Sequence, residues 1–338
     1  MKSIKRGKQS ILFNEAPIIR AWASTVGKKE SEGPLCNYFD IHQTETYFGE
    51  ATWEQAENKM QQLTLKALQA KAQITSNDID MIFSGDLLNQ CIGSSFSLNN
   101  TGIPHIGIYG ACSTMAEGLL LAAMAVKGGY AHNAIAMTSS HFAASERQYR
   151  FPLGYGGQRP PTSQWTVTGS GAALVCDSGD GPRITSCTIG TVTDYGIKDA
   201  NNMGAAMAPA AYRSVRAHFD DLHCAPSDFD LIVTGDLGQT GKELLMELAR
   251  KDGIALGGKI TDCGTLIFDN TTQDVHSGGS GCGCSAITLC GYLLEQLRSG
   301  KLKKILFCGT GALLSPTSTQ QGLPIPGVCH AVCITGGR

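Results

Sequence analysis

Apolar residues along this chain switch between a helical and a strand period, and the whole cycle occurs twice. Trp53, Ala56, Met60, Leu63, Ala67 and Ala70 recur at three- and four-residue spacing, which predicts an amphipathic helix ahead of an apolar strand at 79–84. Met207, Ala211, Val215, Phe219 and Leu222 predict the same helix ahead of a strand at 229–234. The two strands end alike, in Ser84-Gly85-Asp86-Leu87 and Thr234-Gly235-Asp236-Leu237, an offset of 229 − 79 = 150 positions. A second pair repeats at 284 − 112 = 172 positions, where Gly110-Ala111-Cys112-Ser113 and Gly281-Cys282-Gly283-Cys284-Ser285 each precede a long apolar run. The first of these runs predicts a buried helix to Val126 that Gly128-Gly129 stop, then a strand at 134–138. The second predicts a helix at 285–298, a stop at Gly300 and a strand at 304–308. A repeat at such long spacing means a duplicated α/β unit, because a solenoid would repeat every few tens of residues. Strands alternating with helices predict parallel pairing and a layered α/β architecture.

The halves divide near Ser178-Gly179-Asp180-Gly181-Pro182, giving units 1–178 and 179–338, with a Gly-, Pro- and Arg-rich loop at 145–164 inserted in the first. With 338 residues, 42% apolar and 17% charged, the chain can bury an extensive core. A net charge of −2 offers no basic footprint for nucleic acid, and only Lys2, Lys5, Arg6 and Lys8 are locally basic. The thirteen cysteines sit largely in apolar segments such as those around Cys176, Cys290, Cys308 and Cys333, which predicts reduced thiols rather than a disulfide framework. No signal-peptide pattern and no apolar run of membrane-spanning length is present, so a cytoplasmic location is expected.

Candidate chemistry centres on Cys112. A thiol at the first turn of a helix meets unpaired N–H groups and the positive end of the helix dipole, which predicts a lowered pKa and thiolate chemistry. Cys282, Cys284 and Cys290 lack the paired spacing of a structural zinc site and read as buried apolar thiols, so no metal is expected. Gly169-Ser170-Gly171 and Gly309-Thr310-Gly311 complete neither a Walker nor a dinucleotide fingerprint, and no cofactor is expected. Arg147, Arg150 and Arg159 read either as solvated charges or as anion contacts.

These residues carry a resemblance. The strand-turn-helix at Gly110-Ala111-Cys112-Ser113 resembles the nucleophile elbow of the thiolase and ketoacyl-synthase superfamily. The segment 167–175 resembles the glycine-rich strand that closes that superfamily's first half, and Gly309-Thr310-Gly311-Ala312 its C-terminal glycine loop. Gly85-Asp86-Leu87-Leu88-Asn89-Gln90, Thr138-Ser139-Ser140-His141, Tyr155-Gly156-Gly157-Gln158, Met207-Ala208-Pro209-Ala210-Ala211, Gly278-Gly279-Ser280-Gly281-Cys282 and Gly311-Ala312-Leu313-Leu314-Ser315-Pro316 together resemble the stage V sporulation protein AD family of spore-forming Bacillales and Clostridia. The resemblance implies a thiolase-like fold of two similar halves in an α/β/α/β/α arrangement. It also implies a non-catalytic protein that binds dipicolinic acid, alone or as its calcium chelate, and serves its uptake into the developing spore. Partners so implied are other stage V sporulation membrane proteins at the forespore inner membrane and a second copy in a homodimer, with the strand at 134–138 near the dimer interface.

Relative to condensing enzymes, Gly235 stands where a catalytic His would fall and Ser280 where an Asn would, and neither can act as the lost group. His276, in Val275-His276-Ser277-Gly278-Gly279, resembles the histidine turn of thiolases, and Cys308 could mimic their second cysteine. The alternatives are therefore a ligand pocket or a cysteine-dependent acyltransferase using Cys112 with His276. On the first, the helix N-terminus at Cys112 and Ser113, the strand end at Ser140 and His141, the turn at Ser280 and Gly281, and Thr310 with Gly311 are expected to converge on a dicarboxylate.

Overall fold

The computed structural model describes residues 4–149, 153 and 156–337. Its first half contains strands β1 (Ile18–Val26), β2 (Met81–Gly85), β3 (His105–Gly107), β4 (Asn133–Ser140) and β5 (Gly169–Cys176). The second contains β6 (Arg183–Thr188), β7 (Leu231–Thr234), β8 (Ile260–Asp262), β9 (Lys304–Ala312) and β10 (Gly327–Thr335). The spatial orders are β1-β5-β4-β2-β3 and β6-β10-β9-β7-β8, so the duplication seen in the sequence is a duplication of topology. The two sets join into one sheet at a single register pair, Arg183 with Ile18.

Pairing is mixed rather than wholly parallel. β2 runs parallel to both β3 and β4, but β5 is antiparallel to β1 and β4, and β10 to β6 and β9. The strands β1 and β10, absent from the periodicity argument, are buried on both faces along nearly their whole length and carry no clean alternation for a period-two search to find. Gly309 to Ala312 is the end of β9, hydrogen-bonded to β10, and not a loop.

Helices α1 (Trp53–Ala72), α2 (Thr114–Gly128) and α4 (Met203–Leu222) match the expected pattern, whereas α3 (Phe142–Tyr149), which takes up the first five residues of the predicted 145–164 loop, and α5 (Gly238–Lys251) are additional to it. The sixth, α6, spans 282–298, with a π-helical stretch at Thr288–Leu293 between Cys282–Ile287 and Leu294–Arg298. α2 and α6 supply Met115, Leu119, Ile287, Leu293 and Leu297 to one core shared with Phe83, Ala173, Phe307 and Val332 of both sheets. α1 and α4 cover the outer faces with separate apolar clusters. The result is five layers, α/β/α/β/α.

The buried face of α4 is the predicted one: Met207, Ala211, Val215 and Phe219 are enclosed. On α1 it is turned. Glu57, Gln61 and Thr64 are buried beside Ala56, Met60, Leu65 and Leu68, while Ala70 is exposed. The polar members explain the rotation, because each has a partner inside: Ser139 Oγ donates to Glu57 at 2.7 Å, Gln61 Nε2 to Ser139 Oγ at 2.7 Å, and Thr64 Oγ1 to Thr25 Oγ1 at 2.8 Å. Hydrophobic periodicity cannot register such a face.

All thirteen cysteines are free thiols. No helix among the described residues is long and apolar enough to cross a membrane.

Candidate ligand site at the elbow

Between β3 and α2 the chain turns sharply, with Ala111 in left-handed backbone at φ 50°. That conformation is unfavourable for a residue with a Cβ and is maintained here by packing on both sides. The turn consumes donors. Ser113 N–H bonds back to the Gly110 carbonyl and Thr114 N–H to the Ala111 carbonyl, while the Ser113 hydroxyl donates to Gly110 at 2.7 Å. The helix therefore starts at Thr114, two residues after Cys112, and the N–H groups of Ser113 and Thr114 are spent on the elbow itself.

Cys112 is 6% exposed and points into a cluster with Leu87, Cys282 and Tyr149. Burial pushes its thiol well above the usual cysteine range, and the neighbouring Asp236 carboxyl and Cys282 add to the effect. This reverses the expectation of a helix-activated thiolate. Desolvation and an adjacent acid outweigh a dipole whose end groups are already bonded.

Asp236 is the organising residue, and the sequence argument passed over it as part of a repeat. It is fully buried at the end of β7. One carboxyl oxygen accepts from Thr310 Oγ1 at 2.8 Å, the other from Gly281 N–H at 2.9 Å, and the Cys112 thiol stands beside it. Burial pushes its pKa up to about 7 against the pull of those donors. Three separate chain segments are thus tied to one side chain. The signal available in the sequence was an aspartate following an apolar strand in a stretch with no lysine or arginine to neutralise it.

Gly281 has φ 97°, and a Cβ there would stand 2.7 Å from Ser140 Oγ, so the turn that offers its N–H to Asp236 requires glycine. A Cβ on Gly311 would meet the Gly110 carbonyl at 2.3 Å, so β9 approaches the elbow backbone directly.

The cavity above this floor has a volume of about 40 Å³. Cys112, Ser280, Gly281, Ala312, Leu314, Leu87, Tyr109, Glu146 and Tyr149 are among the residues that line it. Tyr149 Oη donates to the Leu87 carbonyl at 2.8 Å and lies 3.2 Å from Tyr109 Oη, and Thr166 Oγ1 donates to Glu146 at 2.7 Å.

Of the sequence candidates, Cys112, Ser280 and Gly281 meet at the cavity, and Thr310 and Gly311 stand directly behind its floor. Ser113 is buried in the elbow. Ser140 lies behind Gly281, its hydroxyl donating to the Val167 carbonyl at 2.7 Å and accepting from Gly283 N–H at 3.1 Å. His141 turns away, Nε2 to the Thr46 carbonyl at 2.9 Å. His276 has φ 53° and pairs with Asp274 at 3.4 Å, outside the cavity lining. Gly235 packs against Thr310, and Cys308 is buried in the core of the second half. Arg147 pairs with Glu54, Arg159 lies over the Trp165 ring and donates to the Asp274 carbonyl at 2.9 Å, and Arg150 falls outside the described residues.

Similarity to known proteins agrees with this geometry. Solved structures share the fold: 3-oxoacyl-[acyl-carrier-protein] synthase III from Aquifex aeolicus VF5 superposes with a TM-score of 0.58 at 15% identity, over 95% of this chain and 100% of its own. A variant of OleA from Xanthomonas campestris gives 0.56 at 16% identity, over 98% and 100%. In sequence, the chain is 42% identical to stage V sporulation protein AD of Bacillus subtilis strain 168 over 326 residues, 96% of each chain. Residues 7–335 match the family model for stage V sporulation protein AD. The chain belongs to the stage V sporulation protein AD family.

Proposed function

We propose that this protein is a non-catalytic small-molecule binder of sporulation, that its ligand is dipicolinic acid, and that it serves uptake of that acid into the developing spore. The observation that carries the reading is the elbow thiol, kept in the fold's nucleophile position yet buried against Asp236 with its proton held on. Acyl transfer needs a thiolate and a side chain that polarises the thioester oxygen. Among the described residues, the cavity lining includes neither histidine nor asparagine.

What lines it suits a small flat acid. The Ser280 and Tyr109 hydroxyls are donors, the Tyr149 hydroxyl becomes one as it leaves the Leu87 carbonyl, and Leu87, Ala312 and Leu314 are apolar walls. The present 40 Å³ holds about a water or two, so a pyridine ring enters only as Tyr109, 45% exposed, and its neighbour Tyr149 swing outward. Membrane proteins of the same sporulation stage are the proposed partners, at the cytoplasmic side of the forespore inner membrane.

A second copy is the other proposed partner. β4 is hydrogen-bonded on both sides and cannot receive it, whereas β3 ends its sheet with Ile106 49% exposed. A two-fold joining of β3 edges would bring the neighbouring copy close to Tyr109.

Calorimetry with dipicolinate, beside mass spectrometry after incubation with acyl-coenzyme A, tests the reading. Saturable one-site binding with Cys112 unacylated is expected. Rapid stoichiometric acylation followed by product release would establish the acyltransferase instead.

A further inference from the structure

We propose that the site takes up one proton with each dicarboxylate it binds, and that Asp236 is the group that receives it. The inference rests on the dicarboxylate reading above and adds to it a specific electrostatic consequence of the cavity.

Among the described residues, the carboxyl groups at the site are not matched by a cation in its lining. Glu146 on α3 lines the cavity, and Asp236 lies just beneath Cys112 and Gly281. Asp262, at the end of β8, acts on Asp236 from behind. It is itself fully buried, accepting from Thr234 Oγ1 and Leu237 N–H at 2.7 Å each, with Lys242 as its only cation of note. The other titratable neighbours are thiols: Cys112 at the elbow, Cys282 and Cys284 on α6, and Cys263 after β8, all buried and held neutral by that burial. Among the described residues, no lysine or arginine lines the cavity.

A dianion placed here meets two carboxyl groups in a medium that screens poorly, and like charges a few ångströms apart cannot all stay ionised. The group best placed to give way is Asp236, which is the more deeply buried of the two and ionises near neutrality before any ligand arrives. The hydrogen bonds allow the change. With Asp236 ionised, the neighbouring Cys112 thiol favours the carboxylate and can turn its hydrogen toward it. With Asp236 protonated, the carboxyl O–H donates to the Cys112 sulfur, and the thiol hydrogen turns into the cavity to meet the ligand. Thr310 and Gly281 keep their bonds in both states. The proton comes from solvent, no covalent bond forms or breaks, and the net reaction is ligand dianion plus proton plus ionised site giving the neutralised complex.

The test is calorimetry of calcium-free protein with dipicolinate in HEPES and in Tris at pH 8, and in MES and in imidazole at pH 6. The dependence of the observed heat on buffer ionisation enthalpy counts the protons. About one proton taken up at pH 8 and almost none at pH 6 is expected, with affinity falling about tenfold from pH 8 to pH 9. Asp236→Asn abolishes the uptake and flattens the pH dependence. Thr310→Val, which removes one donor to the carboxylate, moves the onset of uptake to higher pH and serves should the asparagine variant fail to fold. Binding by the wild-type protein at pH 8 without proton uptake overturns the inference, as does uptake that persists in Asp236→Asn or binding that needs added calcium and no proton. Absence of binding at both pH values would instead remove the dicarboxylate reading on which it stands.

Discussion

Replacing Asp236 with asparagine should change how the stability of the fold depends on pH, and by a calculable amount. The carboxyl is completely buried and ionises at about 7, against roughly 3.9 for an aspartate in an unfolded chain. Its folded pKa is therefore raised, so the folded state binds a proton that the unfolded state has lost throughout that window. Stability from this group is fully present below about pH 4 and is lost as pH rises through 7. About three pH units at about 1.4 kcal/mol each amount to roughly 4 kcal/mol, of which some 3 kcal/mol falls between pH 4.5 and pH 8. Burial leaves little solvent screening to reduce the figure. Asparagine keeps an acceptor for Thr310 or Gly281 and has nothing to ionise, so its fixed cost shifts the curve without tilting it. Urea denaturation of both proteins at pH 4.5, 6 and 8 measures the effect as a gap between two stability curves. Asp262, which ionises near 6, and Glu30, near 7, tilt both curves alike and largely cancel. Curves that run parallel within about 0.5 kcal/mol across the range would show that Asp236 is not neutralised by burial, and the account of the site would lose its base.

Cys112 in the folded protein should react with iodoacetamide at pH 8 at least tenfold more slowly than the same thiol after urea unfolding, because burial and Asp236 both oppose the thiolate; equal rates, read by peptide mass spectrometry, would restore the activated elbow. Gly281→Ala should destabilise by roughly 1–3 kcal/mol, since its methyl group meets Ser140 Oγ on a backbone at φ 97°, and an unchanged melting temperature would mean the turn can relax. Ile106→Lys, on the free edge of β3, should turn a dimer into a monomer in light scattering without altering the circular dichroism spectrum. Glu57, buried beside Asp86 and raised well above its usual range by that burial, should make the melting temperature fall from pH 6 to pH 8.5 more steeply in the wild type than in Glu57→Gln; equal slopes would mean the pair carries no extra proton.

The duplication, the order of helices and strands, and the central place of Cys112 were legible in the sequence because each leaves a periodic or repeated trace. Met207, Ala211, Val215 and Phe219 are apolar and buried at the same spacing. What was not legible shares a different physical character. The inward turn of α1 depends on Glu57, Gln61 and Thr64 finding partners on β1 and β4, a long-range fact that no local pattern records. β10 reaches its place by pairing antiparallel to β9, which alternating strand and helix signals do not specify. The state of the Cys112 thiol escapes the sequence for a related reason: the dipole argument uses only residues 110 to 114, whereas the thiol is buried by distant segments, and Asp236 adds to the effect of that burial. The expected ring of ligand groups fared similarly. Ser280 and Gly281 come to the cavity through the turn before α6, but His141 is drawn off by the Thr46 carbonyl, a contact between positions 95 residues apart.

The repeated Gly-Asp-Leu shows how one ancestral feature serves two ends. In the first half, Asp86 turns back on its own loop, accepting from Leu88 N–H at 2.9 Å and from Ser94 N–H at 2.7 Å, and Glu57 stands against it. There the carboxyl fixes the turn that carries Leu87 to the cavity wall. In the second half that local task falls to Asp262, which takes the N–H groups of Leu237 and Gly238 at 2.7 and 3.0 Å. Asp236 is thereby released from its own loop and can face the elbow, beside Cys112 and bonded to Gly281 and Thr310 instead. In an acid-assisted condensing enzyme a charge at this point would work against the thiolate, and in a binder it costs little so long as a proton from solvent enters with the ligand. On the binding proposed above, the same aspartate that opposes a Cys112 thiolate also sets the terms on which an anion enters.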